Sequence, residues 1–264
     1  MSIKIKDLSF SYGTRRCAGA GRGQGPYDVL RHIDLDLPDG CLVNVLGPNG
    51  AGKSTLFRCM LCLEDGYTGS IAIDGRDLRR MSVRERARTI AYIPQAHESV
   101  YDYSVLDVVL MSAASQTGAF GVPRADQVKR AWEALERVGI ARLAHRPATR
   151  ISGGEQQLVL IARALAQNAR TIIMDEPTSA LDVSVRAQIL NLLTDLKKDL
   201  GLSMMFISHD IQTVRYISDK IIVMNHGQIM EQGPAKQVFE NPQDPYTKLL
   251  LGAAPSLLHP KLGE

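Results

Sequence analysis

The sequence has no apolar run long enough to cross a membrane. Its most lipid-like stretch, LLLGAAPSLL near the C-terminus, is short and is interrupted by Pro255, whereas a spanning helix needs about 20 apolar residues. The N-terminal MSIKIKDLSF lacks the apolar centre of a signal peptide. We therefore expect no segment that inserts directly into a membrane, and we expect the chain to be cytoplasmic.

A strong charge of one sign and an extended set of cysteines are also missing. The 31 Lys and Arg residues oppose 28 Asp and Glu residues, so the charge balance gives no support for a nucleic-acid partner. Among the 4 cysteines, Cys59 and Cys62 have no second pair or nearby histidine cluster that would complete a metal site. Their helical spacing with Leu56 and Leu63 predicts buried structural thiols.

The sequence does contain an alternation of strand and helix patterns. Polar and apolar residues alternate in IKIKDLSFSY, which predicts an edge-type strand. Continuous apolar runs of the kind buried in parallel sheets occur in CLVNVLG, TIAYIPQ, TIIMDEP, SMMFISH and KIIVMNHG. Residues 96–168 look almost wholly helical, and SVRAQILNLLTDLKKDL predicts another helix. The order predicts an α/β fold with a mostly parallel sheet and a helical insertion.

A phosphate-binding motif lies between a predicted strand and a predicted helix. GPNGAGKST matches the pattern G-x-x-x-x-G-K-[ST] in the context that this pattern requires. The backbone amides of the loop would surround a nucleotide phosphate, Lys53 would neutralise it, and the Ser54 hydroxyl would bind Mg²⁺. The predicted nucleotide-binding residues here are Gly47, Pro48, Asn49, Gly50, Ala51, Gly52, Lys53, Ser54 and Thr55.

An apolar strand also delivers two adjacent carboxylates. In TIIMDEP, Asp175 is predicted to hold Mg²⁺ through water. Side chains alternate along a strand, so Glu176 is expected to point elsewhere. We interpret Glu176 as the group that polarises the attacking water.

A third motif starts a predicted helix on two glycines. In ISGGEQQL, Ser152 and Glu155 form a capping-box pattern. Glycine in a helical turn costs roughly 1 kcal/mol relative to alanine, so the pair Gly153 and Gly154 needs another reason. Bare backbone at a helix N-terminus favours a bound anion such as phosphate.

Together these motifs resemble those of the ATP-binding subunits of ABC transporters, over nearly the whole chain. The resemblance implies that Tyr12 stacks on adenine, that Gln95 links the core to the helical insertion and binds the metal, and that His209 is the switch histidine. ISGGE corresponds to the family signature. SALD, which ends at Asp182, corresponds to the loop that crosses the dimer.

The family also implies an architecture and an assembly. The expected P-loop NTPase core covers residues 1–95 and 169–240 and has antiparallel N-terminal strands, the helical signature subdomain covers 96–168, and a C-terminal tail covers 241–264. ATP and Mg²⁺ are the expected ligands, with Mg²⁺ at Ser54, Gln95 and Asp175. Two copies would form a homodimer on binding ATP, with Ser152 to Gly154 of one copy covering the phosphate held by Lys53 of the other. Integral-membrane permease subunits would bind the dimer at the inner face of the cell membrane.

Resemblance to particular importers changes along the chain. Residues up to about 178 resemble the iron-siderophore, haem and cobalamin group, whereas residues from about 179 resemble the oligopeptide and nickel group. This predicts a mosaic with a seam between about residues 175 and 187 and a metal-chelate importer as the machine. The alternatives are an oligopeptide or nickel importer and a soluble ABC ATPase of cofactor assembly.

Overall fold

The computed structural model describes residues 2–13, 27–95, 102–114, 121–179 and 181–253. Residues 14–26 of the glycine- and arginine-rich segment, and Ala180 of the SALD motif, lie outside these ranges. Within them, no helix has the length and apolarity needed to cross a membrane.

Ten strands and nine α-helices occur in the described part of the chain. The strands are β1 (Ile3–Tyr12), β2 (Tyr27–Leu37), β3 (Leu42–Leu46), β4 (Thr68–Ile73), β5 (Arg76–Asp77), β6 (Ile90–Ile93), β7 (Thr171–Asp175), β8 (Ser203–Ile207), β9 (Lys220–Asn225) and β10 (Gln228–Pro234). The helices are α1 (Lys53–Met60), α2 (Val83–Thr89), α3 (Val105–Leu110), α4 (Ala125–Arg137), α5 (Gly153–Ala166), α6 (Val183–Leu200), α7 (Ile211–Ile217), α8 (Ala235–Glu240) and α9 (Pro245–Gly252).

The N-terminal strands form an antiparallel sheet in the order β2-β1-β4-β5. The prediction that β1 is an edge strand is wrong, since it pairs on both sides. Its alternation has a different cause: Ile3 and Ile5 are buried in the core, while Lys4 and Lys6 face solvent. In an antiparallel sheet with one solvent-exposed face, polar and apolar residues alternate along an inner strand as well.

The second sheet has the order β10-β9-β3-β8-β7-β6 among the described residues. All of its pairings are parallel except that of β9 with the edge strand β10. Strands β3, β7 and β8 are buried along their whole length, as their continuous apolar runs predict. Parallel pairing brings the carboxyl ends of β6, β7 and β8 to the same edge, which is where ligands bind in such sheets.

Helices α3, α4 and α5 form the helical part that follows β6. Val109, Leu135 and Ile161, one from each helix, are fully buried in a core that continues onto the sheet. On the other side of the sheet, Cys59 is buried in α1, and burial raises the pKa of its thiol to about 12. Cys62 is only half-buried, so the prediction of buried thiols is confirmed for Cys59 alone.

Candidate functional site

The phosphate-binding motif forms a tight turn between β3 and α1. Gly52 occupies the N-cap of α1 in a left-handed conformation, with φ of 96°, which favours glycine. A Cβ atom on Gly47 would collide with the carbonyl oxygen of Met224 in β9. The glycines of the motif therefore meet two separate constraints, a backbone conformation and a close approach to the neighbouring strand.

Lys53 closes this turn from the inside. Its Nζ atom donates to the carbonyl oxygens of Gly47 at 2.8 Å and Pro48 at 2.9 Å, and the residue is only 6% exposed. Burial lowers the pKa of Lys53, while the carboxylates of Glu176 and Asp175 oppose that shift. A buried ammonium beside a helix N-terminus is an environment that favours phosphate.

Asp175 ends β7 and lines the same cleft as Ser54. Burial raises the pKa of Asp175, while hydrogen bonding with Ser54 and the charge of Lys53 act in the opposite direction. A hydroxyl and a carboxylate that face one cleft beside a phosphate loop are oxygen donors of the kind that Mg²⁺ prefers. The residues present therefore fit the predicted ion.

Glu176 does not point away from Asp175, and this expectation is wrong. Strand β7 ends at Asp175, and Glu176 has a positive φ of 45°, so strand alternation no longer applies at this residue. Its amide donates to the carbonyl oxygen of Ile207 at 3.1 Å. A left-handed backbone is costly for a residue other than glycine and persists where the surroundings hold it. The turn brings both carboxylates to one cleft.

Three side chains meet where the parallel strands end. Gln95 follows β6, Glu176 follows β7, and His209 follows β8. Nε2 of Gln95 donates to Oε2 of Glu176 at 3.1 Å, and Nδ1 of His209 lies 3.3 Å from the same oxygen. The Glu176 side chain is 12% exposed. One carboxylate oxygen is thus oriented by two groups from neighbouring strands.

These groups belong to one cleft of about 780 Å³. It is lined by Tyr12, Val29, Gly47, Pro48, Asn49, Gly50, Gly52, Lys53, Ser54, Thr55, Gln95, Asp175, Glu176, Ile207 and His209. Tyr12 is 39% exposed and packs edge-on against Phe10, with ring centroids 4.9 Å apart.

The lining also differs from the predicted set. Ala51 is absent from it because its side chain is 2% exposed and packs in the core. Val29 and Ile207 line the cleft although the sequence analysis did not select them. Ile207 was available as the last residue of the apolar run in SMMFISH. No pattern marked Val29, which follows the glycine-rich segment.

The remaining predicted residues, Ser152, Gly153, Gly154 and Asp182, do not line this cleft. Ser152 forms the capping box with Glu155: Oγ accepts from the Glu155 amide at 3.3 Å, and Oε2 of Glu155 accepts from the Ser152 amide at 2.9 Å. Asp182 caps α6 by accepting from the Val185 amide at 2.9 Å.

The signature turn and the start of α6 are neighbours. A Cβ atom on Gly154 would lie 2.6 Å from Cγ1 of Val185, and one on Gly153 would lie 4.0 Å from Leu181. Ser152, Gly153 and Asp182 are exposed. The two motifs therefore form one accessible surface apart from the cleft of their own chain.

Two protein-family profiles match parts of this chain. The sequence profile of the family described as ABC transporter matches residues 30–179. A second profile, described as the C-terminal region of oligopeptide/dipeptide transporters, matches residues 230–263.

Relatives match the chain on both sides of the predicted seam. A Brucella ovis protein, provisionally named a peptide import ATP-binding protein, is 40% identical over 259 residues, covering 96% of this chain and 78% of the relative. The methionine import protein MetN of Brucella abortus is 38% identical over 231 residues, covering 86% of this chain and 61% of MetN.

The mosaic interpretation has no support. One relative spans 96% of the chain, and Ile172 and Leu193, from either side of the seam, pack in one core.

Solved structures with the same architecture include a whole transporter and an isolated cassette. An ABC transporter provisionally described as metal-chelate type, in an inward-facing conformation, superposes with a TM-score of 0.75 at 30% identity, covering 90% of this chain and 84% of that one. A dimeric ATP-binding cassette bound to ADP and Pi superposes with a TM-score of 0.74 at 28% identity, covering 88% and 98%.

Proposed function

The chain belongs to the ABC transporter family of ATP-binding proteins, and from this premise we propose that it is the ATP-hydrolysing subunit of an importer of oligopeptide type. The peptide assignment is supported by the oligopeptide/dipeptide transporter profile at residues 230–263 and by the Brucella relative named for peptide import. An importer of oligopeptide type therefore replaces the metal-chelate importer as the favoured transporter. ATP hydrolysis itself follows from the family.

The observation that carries the mechanism is the convergence of Lys53, Asp175 and Glu176 on one cleft. The triphosphate lies on the backbone amides of the loop, and the Lys53 ammonium leaves its two carbonyl partners to neutralise the phosphates. Tyr12, at the outer rim of the cleft, stacks on the base. These contacts bind and orient the nucleotide.

Ser54, Asp175 and Gln95 would hold Mg²⁺ beside the phosphates, where the ion supplies neutralisation of developing negative charge. The hydroxyl and the carboxylate both line the cleft. Ser54→Ala and Asp175→Asn should raise the Mg²⁺ concentration needed for half-maximal hydrolysis. An unchanged requirement in both variants would exclude these residues as ligands.

Glu176 polarises the attacking water, and Gln95 and His209 orient its carboxylate. The distances of 3.1 and 3.3 Å to a single oxygen leave the other carboxylate oxygen to accept a hydrogen bond from water. A negative charge fixed at this position raises the nucleophilicity of that water.

Two copies complete the site. Ser152, Gly153 and Asp182 are exposed and lie outside their own cleft, which suits a role toward the nucleotide of a second copy. A head-to-tail homodimer places the signature of one chain over the phosphates of the other, so ATP holds the dimer together and hydrolysis opens it. The cycle moves the attached permease subunits at the cytoplasmic face of the membrane.

A Glu176→Gln variant tests this mechanism. It keeps the shape and the hydrogen-bonding atoms but removes the charge, so it should bind ATP, hydrolyse it slowly and accumulate as a dimer on size-exclusion chromatography. Glu64→Gln is a suitable control because Glu64 does not line the cleft and, within the described part of the chain, forms an ion pair with Arg58 at 3.8 Å. If the Glu176→Gln variant stayed monomeric and hydrolysed ATP normally, Glu176 would not be the residue that polarises the attacking water.

The metal-chelate importer remains the second candidate, favoured by the 30% identical transporter structure. The two are separated by reconstituting the chain with a peptide-type permease and, in parallel, with a siderophore- or cobalamin-type permease, and measuring stimulated ATP hydrolysis. Stimulation by the peptide-type permease alone supports our proposal, and stimulation by the other alone refutes it. Copurification with soluble scaffold proteins and no permease would instead favour a cofactor-assembly ATPase.

A further inference from the structure

Arg186, in the first turn of α6, connects two segments that are distant in sequence from each other. Its Nη1 atom donates to Oδ2 of Asp210 at 2.8 Å, and Nη2 donates to the carbonyl oxygen of Leu181 at 3.2 Å. The Arg186 and Asp210 side chains are 27% and 29% exposed, so the pair is largely shielded from water. Arg186 does not line the nucleotide cleft.

The first segment leads from Leu181 back to Glu176. The Leu181 amide donates to the carbonyl oxygen of Thr178 at 3.3 Å. The amide and hydroxyl of Ser179 donate to the carbonyl oxygen of Glu176 at 3.2 and 3.0 Å. These hydrogen bonds link Leu181 to the backbone of Glu176 through two short turns.

The second segment leads from Asp210 to the same residue. Asp210 follows His209 directly, and Nδ1 of His209 lies 3.3 Å from Oε2 of Glu176. The Asp210 amide donates to the Ser208 hydroxyl at 3.0 Å. The two segments and Arg186 thus form a closed ring that starts and ends at Glu176.

Asp210 is held in its charged form within this ring. Burial raises the pKa of Asp210, but hydrogen bonds from Thr213, Arg186 and the Gln212 amide outweigh burial, and the net pKa is lowered. Asp210 also caps α7 through the amides of Gln212 and Thr213. A charged, capped carboxylate gives Arg186 a fixed anchor on the His209 side.

We infer that Arg186 is a positioning residue for ATP hydrolysis, which acts by holding the carbonyl of Leu181 and the carboxylate of Asp210 at the same time. The inference rests on the proposed roles of Glu176 and His209. Without the bridge, the backbone turn that carries Glu176 and the loop that carries His209 stay joined through Ile207, but Leu181 and Asp210 are no longer fixed relative to each other. Because Asp182 adjoins Leu181, the same bridge transmits contact with the second copy to His209.

The guanidinium geometry makes this role separable from simple stabilisation. A planar guanidinium presents donors in a fork that reaches two acceptors in different directions, whereas a lysine ammonium is a single point of charge. Arg186→Lys should therefore keep the ion pair with Asp210 but lose the simultaneous contact with Leu181. Arg186→Met should lose both.

A second ion pair on α6 supplies a matched control. Nζ of Lys197 lies 2.6 Å from Oδ2 of Asp219, and the Lys197 side chain is 17% exposed. Neither residue lines the cleft. Lys197→Met therefore removes a partly exposed ion pair, in which the Asp219 side chain is 42% exposed, from the same helix without touching the ring.

The experiment measures kcat and KM for ATP, and thermal stability, in the full chain and its four variants, Glu176→Gln included. Both Arg186→Met and Arg186→Lys should lower kcat about tenfold or more, since small misplacements of catalytic groups have large effects, with KM within about twofold. Lys197→Met should lower the melting temperature as much as Arg186→Met does but leave kcat unchanged. Arg186→Lys should melt close to the wild type.

Two results would overturn the inference and leave the proposed function intact. The first is a kcat for Arg186→Met within about twofold of wild type, in an assay in which Glu176→Gln is inactive. The second is full recovery of kcat by Arg186→Lys, which would show that the ion pair alone is needed. A fully active Glu176→Gln variant would overturn the proposed catalytic role of Glu176 and the role of Arg186 with it.

Discussion

A methyl group added at Gly154 would test why the signature helix begins on glycines. The added Cβ would lie 2.6 Å from Cγ1 of Val185 and 3.7 Å from its Cβ and Cγ2, whereas carbon atoms in contact sit about 3.5–4.0 Å apart. One of the two helices must therefore shift by about 1 Å. Val185 cannot rotate away freely because β-branched side chains in helices are confined to one preferred rotamer.

The magnitude follows from two opposing effects. Overpacking of this kind costs about 1–3 kcal/mol, and replacing glycine by alanine in a helix contributes about 1 kcal/mol of stability. Gly154→Ala should therefore lower the free energy of unfolding by about 1 kcal/mol. That corresponds to about 2–4 °C in melting temperature for a chain of this size.

The assay is urea unfolding at neutral pH without nucleotide, with two comparison variants. Gly153→Ala adds the same methyl one residue earlier, where the nearest atom is Cδ2 of Leu181 at 4.0 Å, so it should be neutral or stabilising. In a Val185→Ala background the steric conflict is removed, and Gly154→Ala should then stabilise the chain. If Gly154→Ala matched Gly153→Ala, or if its sign did not reverse in that background, the packing explanation would fail.

Three further predictions concern other parts of the molecule. Lys53→Ala should abolish ATP binding to the isolated monomer while Ser152→Arg leaves it intact; equal loss in equilibrium binding would contradict a site shared between two copies. Hydrogen bonds from Ser82 and Arg76 lower the pKa of Glu85 from 4.5 to about 2. Its stabilising contribution is therefore complete above pH 4.5 and is lost as pH falls toward 2, and Glu85→Gln should flatten acid unfolding curves in that window. Asn44 is fully buried and its side-chain amide has no hydrogen-bond partner among the described residues. Asn44→Val should therefore raise the melting temperature, and a lower value would mean that the amide is satisfied.

Two kinds of signal in the sequence sufficed for much of the fold and for most of the site. Apolar runs predicted β3, β7 and β8 because strands buried on both faces need continuous apolar sequence. The loop around Lys53 was predictable because its residues are contiguous and its function resides in local backbone conformation. The capping box at Ser152 was predicted for the same reason and is confirmed.

The local pattern failed where the answer depended on a partner distant in sequence. The direction of Glu176 is set by a backbone turn held by Ile207, so alternation along β7 predicted it wrongly. β1 was predicted to be an edge strand because one face of its sheet is exposed to solvent. The sequence alone does not distinguish a solvent-exposed sheet face from an unpaired strand edge.

Gly154 and Arg186 show most clearly which features depend on local sequence and which depend on contacts between distant segments. Composition and spacing identified the glycine pair, but only the packing of α5 against α6 shows that Val185 excludes a side chain at one of them. Nothing local marks Arg186, whose two acceptors lie on separate segments that meet only after the sheet has assembled. Local conformation is encoded by neighbours along the chain, whereas steric exclusion and bridging are properties of surfaces that the fold brings together.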